Sequence, residues 1–141
     1  MDHYLHYNME LFKQDKYGFP VVRIDDIKLY CVHYQSFDDF KESWERRVKR
    51  INMKKIFVIM TQRDGCTIDD IKDFEKLNYK HKVIFVNKPM PSFKSTYYIK
   101  ETKKYNSDDS IVDLSNYISF FSGKRFIDYY DWVSFLNENN N

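Results

Sequence analysis

The sequence contains little cysteine, glycine or proline, with two, three and three residues in a chain of 141. Two cysteines without a short motif spacing exclude a disulfide framework and a zinc ribbon, so we expect reduced thiols in a cytoplasmic protein. Few glycines and prolines beside 18% aromatic residues exclude a disordered chain. We therefore predict one packed domain over residues 1–136, followed by a disordered tail over 137–141.

Long apolar runs and an excess of one charge are also missing. No run approaches the roughly 20 apolar residues that cross a bilayer, and the N-terminus lacks the features of a secretory signal. The 23 basic and 21 acidic residues leave a net charge of only +2, which does not suit a general nucleic-acid binder. No glycine-rich phosphate loop or known catalytic signature occurs. These absences predict no membrane span and no nucleic-acid partner; they leave enzymatic activity and any cofactor open.

Hydrophobic periodicity predicts strands that alternate with helices in the middle of the chain. The order strand, helix, strand, helix, strand implies right-handed crossovers and parallel pairing. We therefore predict a three-layer α/β/α fold with a mainly parallel, Rossmann-like sheet. The segment 88–104 is predicted as a basic loop and 126–127 as a short strand. The other predicted strands are 21–24, 27–33, 55–61 and 82–87, and the predicted helices are 2–13, 37–51, 68–77, 113–122 and 128–136.

A polar turn follows the third predicted strand and leads into a helix capped by Thr67. In an open α/β sheet, such a turn lies at the carboxyl edge, where ligands usually bind. Gly65 can take a positive φ, Arg63 can bind a phosphate through two hydrogen bonds, and Asp64 can hold a hydroxyl or accept a proton. Cys66 adds a thiol. The turn is thus predicted to bind an anion together with a hydroxyl group.

The same residues also fit a turn that is only structural. Asp64 would then cap the turn, Arg63 would pair with a surface acid, and Cys66 would be a small buried thiol. Local sequence does not separate the two interpretations.

Five further candidates lie before this turn. Asp25 and its neighbour Asp26 could act as acid and base or hold a cation if His33 converged on them, although a turn role also explains them. Trp44 lies on the apolar stripe of the helix 37–51, and Arg47 lies about 60° from that stripe, near enough to reach a pocket rim. The alternative is that Arg47 belongs to an ordinary solvent-exposed face of the helix and binds no ligand.

Several stretches, in the same order, resemble an uncharacterised bacterial family. Its members carry a domain of unknown function and are often labelled exopolysaccharide biosynthesis proteins. The resemblance covers about residues 5–136 of this chain and the C-terminal two-thirds of the family pattern. It is carried by the stretches 19–26, 32–37, 43–52, 57–66 and 123–132.

The resemblance implies a cytoplasmic α/β protein of capsule or exopolysaccharide assembly. Other members carry an N-terminal α/β half with a Ser-Asn-Asn-Cys-Trp-Gly-like motif, so we expect a truncated form here. An exposed sheet edge would then favour a homodimer. The positions that match the family and could form a site are Asp25, Asp26, His33, Trp44, Arg47, Arg63, Asp64 and Cys66.

Two functions are expected on this basis. The first is a transferase-like protein that binds a phosphorylated or nucleotide-linked sugar, with Asp64, Asp25 and His33 as catalytic candidates and Arg63 among the ligand-binding residues. The alternative is a non-catalytic module that docks onto polysaccharide-assembly enzymes through its basic helix and its tyrosine-rich surface.

Overall fold

The chain divides into two compact units, residues 1–53 and 54–141. The computed structural model describes residues 5–6, 8–119 and 121–137. Each unit contains a three-stranded sheet, and the protein is therefore a mixed α/β protein. The single domain predicted for residues 1–136 stays a prediction. In the part of the chain that the structure describes, no helix is both long and apolar enough to cross a membrane.

The sheet of the first unit is antiparallel, with strands β1 (Met9–Gln14), β2 (Pro20–Ile24) and β3 (Ile27–Tyr30) in that order. The helix predicted for 2–13 is wrong over residues 9–13, because the segment Met9–Gln14 is a strand that pairs with β2. Residues 1–4 and 7 lie outside the described part. Pairing with β2 determines the structure of this segment more strongly than its irregular hydrophobic pattern does.

The third strand does not join a parallel sheet, so the prediction for 27–33 is wrong in direction and partly in length. Only the two residues Asp25 and Asp26 separate the paired Ile24 and Ile27, and Asp25 adopts a φ of +56°. Such a short connection joins antiparallel strands, whereas parallel strands need a long crossover.

Helix α1 (Phe37–Val48) confirms the apolar stripe predicted from the sequence. The Asp39 amide donates a hydrogen bond of 3.1 Å to Ser36 Oγ, which caps the helix. Phe40 is buried with β2 and β3, and the Trp44 ring lies 5.8 Å from it. The helix ends before the predicted residue 51.

The sheet of the second unit is parallel, with strands β4 (Phe57–Thr61), β5 (His81–Val86) and β6 (Thr96–Tyr98) in that order. Helix α2 (Ile68–Lys76) connects β4 to β5, as predicted. The loop predicted for 88–104 is wrong where it contains β6 and the 3₁₀ turn Lys100–Thr102.

Strand β5 is buried on both faces, which is typical of a central parallel strand. Ile84 and Val86 pack with Ile71 and Phe74 of α2. Val83 and Phe85, which alternate with Ile84 and Val86 along β5, belong to a second hydrophobic cluster with residues that follow β6. This second cluster contains Val83, Phe85, Ile99, Ile111, Leu114, Phe126 and Phe135.

The C-terminal part is less helical than predicted. In place of the helix 113–122, the described residues form turns in which Asp113 Oδ1 accepts from the Ser115 amide at 2.9 Å. Short polar side chains that bond to the backbone compete with helix formation. The strand predicted for 126–127 is also wrong, because these residues begin the 3₁₀ helix Phe126–Tyr129. The last helix, α3, spans Trp132–Asn137 and therefore begins later than predicted. Residues 138–141 of the predicted tail lie outside the described part.

Glu75, near the end of α2, holds the chain that leads into β6. Its carboxylate accepts hydrogen bonds from the Ser95 hydroxyl, from the Ser95 amide at 3.0 Å and from the Lys94 amide at 3.1 Å. The Ser95 hydroxyl in particular holds the pKa of Glu75 below its ordinary value. A carboxylate with a lowered folded-state pKa stabilises the fold above its ordinary pKa, and this contribution is lost as the pH falls through the folded value.

We therefore expect Glu75→Gln to lower the urea midpoint of unfolding at neutral pH and to change it much less in acid. Glu101→Gln is the matched control, because Glu101 is exposed in the same unit. Chemical denaturation at several pH values measures both variants. A Glu75→Gln midpoint equal to that of the wild type at neutral pH would contradict the assignment.

Candidate functional site at the carboxyl edge of the parallel sheet

The turn after β4 contains two successive residues with positive φ, Asp64 at +55° and Gly65 at +83°. The Cys66 amide closes the turn on the Arg63 carbonyl at 3.0 Å. The positive φ predicted for Gly65 is confirmed, and aspartate is one of the few other residues that tolerate this conformation. The backbone of this turn is therefore determined by the residue types of the sequence.

Helix α2 begins with a reciprocal capping box. Asp70 N donates to Thr67 Oγ1 at 3.2 Å, and Thr67 N donates to Asp70 Oδ2 at 2.7 Å. The Thr67 amide and the Thr67 hydroxyl, which both donate to the Asp70 carboxylate, lower the pKa of Asp70. Because the box uses two amides and places the Asp69 and Asp70 carboxylates in the first turn, this helix terminus attracts anions less than free amides without nearby carboxylates would.

A groove of about 480 Å³ lies where β4 and β5 end and α2 begins. We call it the carboxyl-edge groove. Of the predicted turn residues, Gly65 and Cys66 line it, whereas Arg63 and Asp64 are not among its lining residues. The lining residues are Gln62, Gly65, Cys66, Thr67, Ile68, Ile71, Lys88, Met90, Asp108 and Asp109.

Sequence reasoning missed four polar residues of this groove. Gln62 is the first residue after β4, and Lys88 is the second residue after β5. The rule that ligands bind at the carboxyl ends of parallel strands could therefore have indicated both. Asp108 and Asp109 had no such signal, because only the tertiary structure brings their loop to the groove.

Asn87 links the walls of the groove through its backbone and its side chain. Its amide donates to Gln62 Oε1 at 3.1 Å, and its Nδ2 donates to the carbonyls of Ser107 and Asp108 at 2.9 and 2.8 Å. Asn106 Nδ2 donates to the Asn87 carbonyl at 2.8 Å. The side chain of Gln62 and the loop that carries Asp108 are thus held by one buried residue.

Arg63 pairs with Asp113 at 3.3 Å, and both side chains are substantially exposed. The interpretation that Arg63 pairs with a surface acid is thus confirmed. The hydroxyl and amide of Ser115, together with Arg63, hold the pKa of Asp113 below its ordinary value. Exposed pairs of this kind contribute only about 0–1 kcal/mol to stability. The pair with Asp113 is thus weak enough for Arg63 to exchange it for a ligand, and ligand binding by Arg63 stays a prediction.

Cys66 is partly buried and its thiol is free. Burial, with a smaller contribution from the Asp70 carboxylate, raises the pKa of Cys66. A raised pKa keeps the thiol protonated at neutral pH, and the thiol form is a poor nucleophile. Cys66 therefore contributes a weakly polar wall to the groove.

The first unit contains the other predicted site residues. Asp25 lines a hollow with Asn8, Glu10 and Arg23, whereas exposed His33 lines a different hollow beside Tyr34. The two catalytic candidates therefore do not share a hollow. Within the described ranges, no cluster of three or more histidine, cysteine or acidic side chains could hold a metal ion.

Trp44 and Arg47 both lie on α1 of the first unit. Trp44 lines a third hollow, and its indole Nε1 is buried without a hydrogen-bond partner among the residues described. Arg47 is exposed, with its guanidinium 6.0 Å from the centroid of the Tyr34 ring. Packing in the core of the unit accounts for Trp44, as its position on the apolar stripe indicated.

The fold and the groove define an α/β protein with an open groove, lined by apolar and polar side chains, at the carboxyl edge of a small parallel sheet. The chain belongs to the family described as Domain of unknown function (DUF1919), whose sequence pattern matches residues 1–137. This confirms membership in a family of unknown function. The match covers nearly the whole chain, and the prediction that the chain corresponds only to the C-terminal two-thirds of the family pattern is not confirmed.

An uncharacterized protein of Haemophilus influenzae is similar to this chain, with 38% identity over 126 residues. The aligned region covers 89% of this chain and 59% of the relative. The chain therefore spans about three fifths of the length of the curated relative that it matches.

Proposed function

We propose that the protein binds a phosphorylated or nucleotide-linked sugar in the carboxyl-edge groove, as a sugar-handling, transferase-like component of exopolysaccharide or capsule assembly. The observation that carries the proposal is the position of the groove beyond the carboxyl ends of β4 and β5 and beside the start of α2. Small ligands of α/β proteins bind at this edge. A Rossmann-like three-layer arrangement is part of the proposal, and the parallel pairing of β4, β5 and β6 supports it.

Lys88 is the cation that we assign to the phosphate. It lines the groove, and its ammonium has no ion pair among the described residues. Because Lys88 is exposed, its long side chain can follow a phosphate without breaking an existing contact. Gly65 allows a ligand to approach the backbone closely. Neither Arg63 nor Asp64 lines the groove, but both directly precede the lining residue Gly65. Arg63 would add a second cation after release from Asp113, and Asp64 stays the proposed general base.

A titration tests this proposal directly. We expect UDP-glucose, UDP-N-acetylglucosamine or a hexose phosphate to bind the wild type in isothermal calorimetry, and Lys88→Gln to weaken that binding about tenfold, the loss typical of one charge-assisted hydrogen bond. Lys103→Gln is the control, since Lys103 is exposed in the same unit but does not line the groove. Absence of heat with every ligand, or equal binding by both variants, would overturn the proposal.

A second function is a non-catalytic module that docks onto polysaccharide-assembly enzymes. The observation that favours it is a group of arginines at the end of α1 and just beyond it: Arg46, Arg47 and Arg50 are exposed and form no ion pair within the described part of the chain. The same titration separates the two functions, because a docking module needs no sugar ligand.

A further inference from the structure

We propose that the carboxyl-edge groove recognises adjacent hydroxyl groups of a sugar ring through the carboxamide of Gln62 and the carboxylates of Asp108 and Asp109. The inference rests on the proposed function for the class of ligand. It adds which part of that ligand the protein selects and which side chains select it.

Gln62 is the most informative residue of the groove. Only 6% of its surface is exposed, yet it is a groove-lining residue. Its backbone continues the sheet, because its amide donates to the Phe85 carbonyl at 2.9 Å and its carbonyl accepts from the Ile111 amide at 2.8 Å. The position of Gln62 is therefore fixed on both sides, as a preorganised binding residue requires.

The orientation of the Gln62 carboxamide follows from its neighbour. The Asn87 amide is a donor, so the atom it meets must be the oxygen of Gln62, and the bond measures 3.1 Å. The nitrogen, Nε2, is left with two N–H groups and no acceptor among the residues that the structure describes. Nε2 is not fully buried, because Gln62 reaches the groove, and a ligand bound there can supply the missing acceptor.

The groove is also lined by residues whose side chains are hydrogen-bond acceptors. The carboxylates of Asp108 and Asp109 can only accept hydrogen bonds when ionised. Asn87 holds their loop beside Gln62, through Nδ2 on the Asp108 carbonyl at 2.8 Å. A ligand that satisfies both walls must therefore accept from Gln62 and donate to a carboxylate.

A hydroxyl group meets both requirements because it donates and accepts at one atom. A free phosphate is an anion, and it would face two carboxylates against the single cation among the lining residues, Lys88. The apolar side chains of Ile68 and Met90 provide a surface for the C–H face of a ring. Adjacent hydroxyls on a hexose or on the ribose of a nucleotide share this chemistry.

The test follows the Gln62 side-chain amide by ¹⁵N NMR in the wild-type protein. UDP-glucose, dTDP-glucose, UDP, glucose and inorganic phosphate are titrated separately. We expect the Gln62 Nε2 resonances to shift with UDP-glucose. A shift with glucose and dTDP-glucose assigns the hexose, whereas a shift with UDP but not with dTDP-glucose assigns the ribose, because dTDP lacks the 2′-hydroxyl.

Two variants give an independent measurement. Gln62→Glu keeps the acceptor for the Asn87 amide but replaces the donor, and we expect at least tenfold weaker binding of UDP-glucose by calorimetry; Gln35→Glu is the exposed control. Should Gln62→Glu unfold, the double variant Asp108→Asn with Asp109→Asn gives the same information at exposed positions. We expect it also to lose at least tenfold in affinity.

The outcomes separate this inference from the proposed function. Binding of UDP-glucose without a shift at Gln62 and without loss in the double variant would overturn the inference but keep the proposed function. A shift with phosphate alone would overturn hydroxyl recognition. No binding of any sugar ligand would overturn both.

Discussion

Asn87→Asp is expected to lower the free energy of unfolding by about 3–5 kcal/mol at neutral pH. Asn87 is only 7% exposed, and its Nδ2 donates to two carbonyls, those of Ser107 and Asp108. An aspartate would direct carboxylate oxygens at both carbonyls, so that two hydrogen bonds become repulsive contacts and a charge is buried without a partner.

The pH dependence of the same variant is a second signature. Burial beside two carbonyls would raise the pKa of the introduced carboxyl in the folded protein. Stability associated with a raised pKa is present at low pH and is lost as the pH rises through the folded value. The deficit of Asn87→Asp relative to the wild type should therefore grow from acid to neutral pH.

Asn116→Asp is the matched control for this experiment. Asn116 lies in the same unit, is exposed, and its side chain makes no hydrogen bond within the described part. Trp132 fluorescence in a Trp44→Phe background reports the second unit alone, because the two tryptophans lie in different units. Similar urea midpoints for the two aspartate variants would show that Asn87 does not organise the groove.

Phe85→Ala is expected to cost about 3–5 kcal/mol of unfolding free energy. Phe85 is fully buried in β5, and its ring lies 5.2 Å from that of Tyr130 and 6.0 Å from those of Tyr97 and Trp132. Removing the ring leaves a cavity among aromatic side chains that cannot all move inward, and it removes two edge-to-face contacts, those with Tyr97 and Tyr130.

The measurement is the loss of near-ultraviolet circular dichroism together with the urea midpoint, in the same Trp44→Phe background. Phe85→Leu should retain a larger part of the stability, because it leaves a smaller cavity. Tyr117→Ala is the control for loss of an aromatic ring, since Tyr117 is 63% exposed. A midpoint for Phe85→Ala within the range of Tyr117→Ala would mean that the aromatic cluster does not stabilise this unit.

The predictions that succeeded concern signals confined to a few neighbouring residues. The caps at Ser36 and Thr67, the apolar stripe of α1 and the positive φ of Gly65 all follow from residue type and spacing. These interactions join atoms within one turn of helix or one reverse turn, so no distant segment is needed to form them.

The predictions that failed concern competition between local and distant partners. Met9–Gln14 is compatible with a helix until β2 offers it a strand partner, and the 113–122 segment forms turns because its short polar side chains bond to the backbone. The direction of β3 was also misjudged, because alternating strands and helices do not specify which strands share a sheet.

For the candidate site, the sequence by itself determined the turn after β4, the capped start of α2 and the place of both at a strand end. Only the tertiary structure decided that Arg63 pairs with Asp113 and that Gln62, Lys88 and the Asp108 loop line the groove. The physical reason is the range of the interactions. A capping box forms within four consecutive residues, whereas the bond between Asn87 and Gln62 joins positions 25 residues apart and exists only after β4 and β5 have paired.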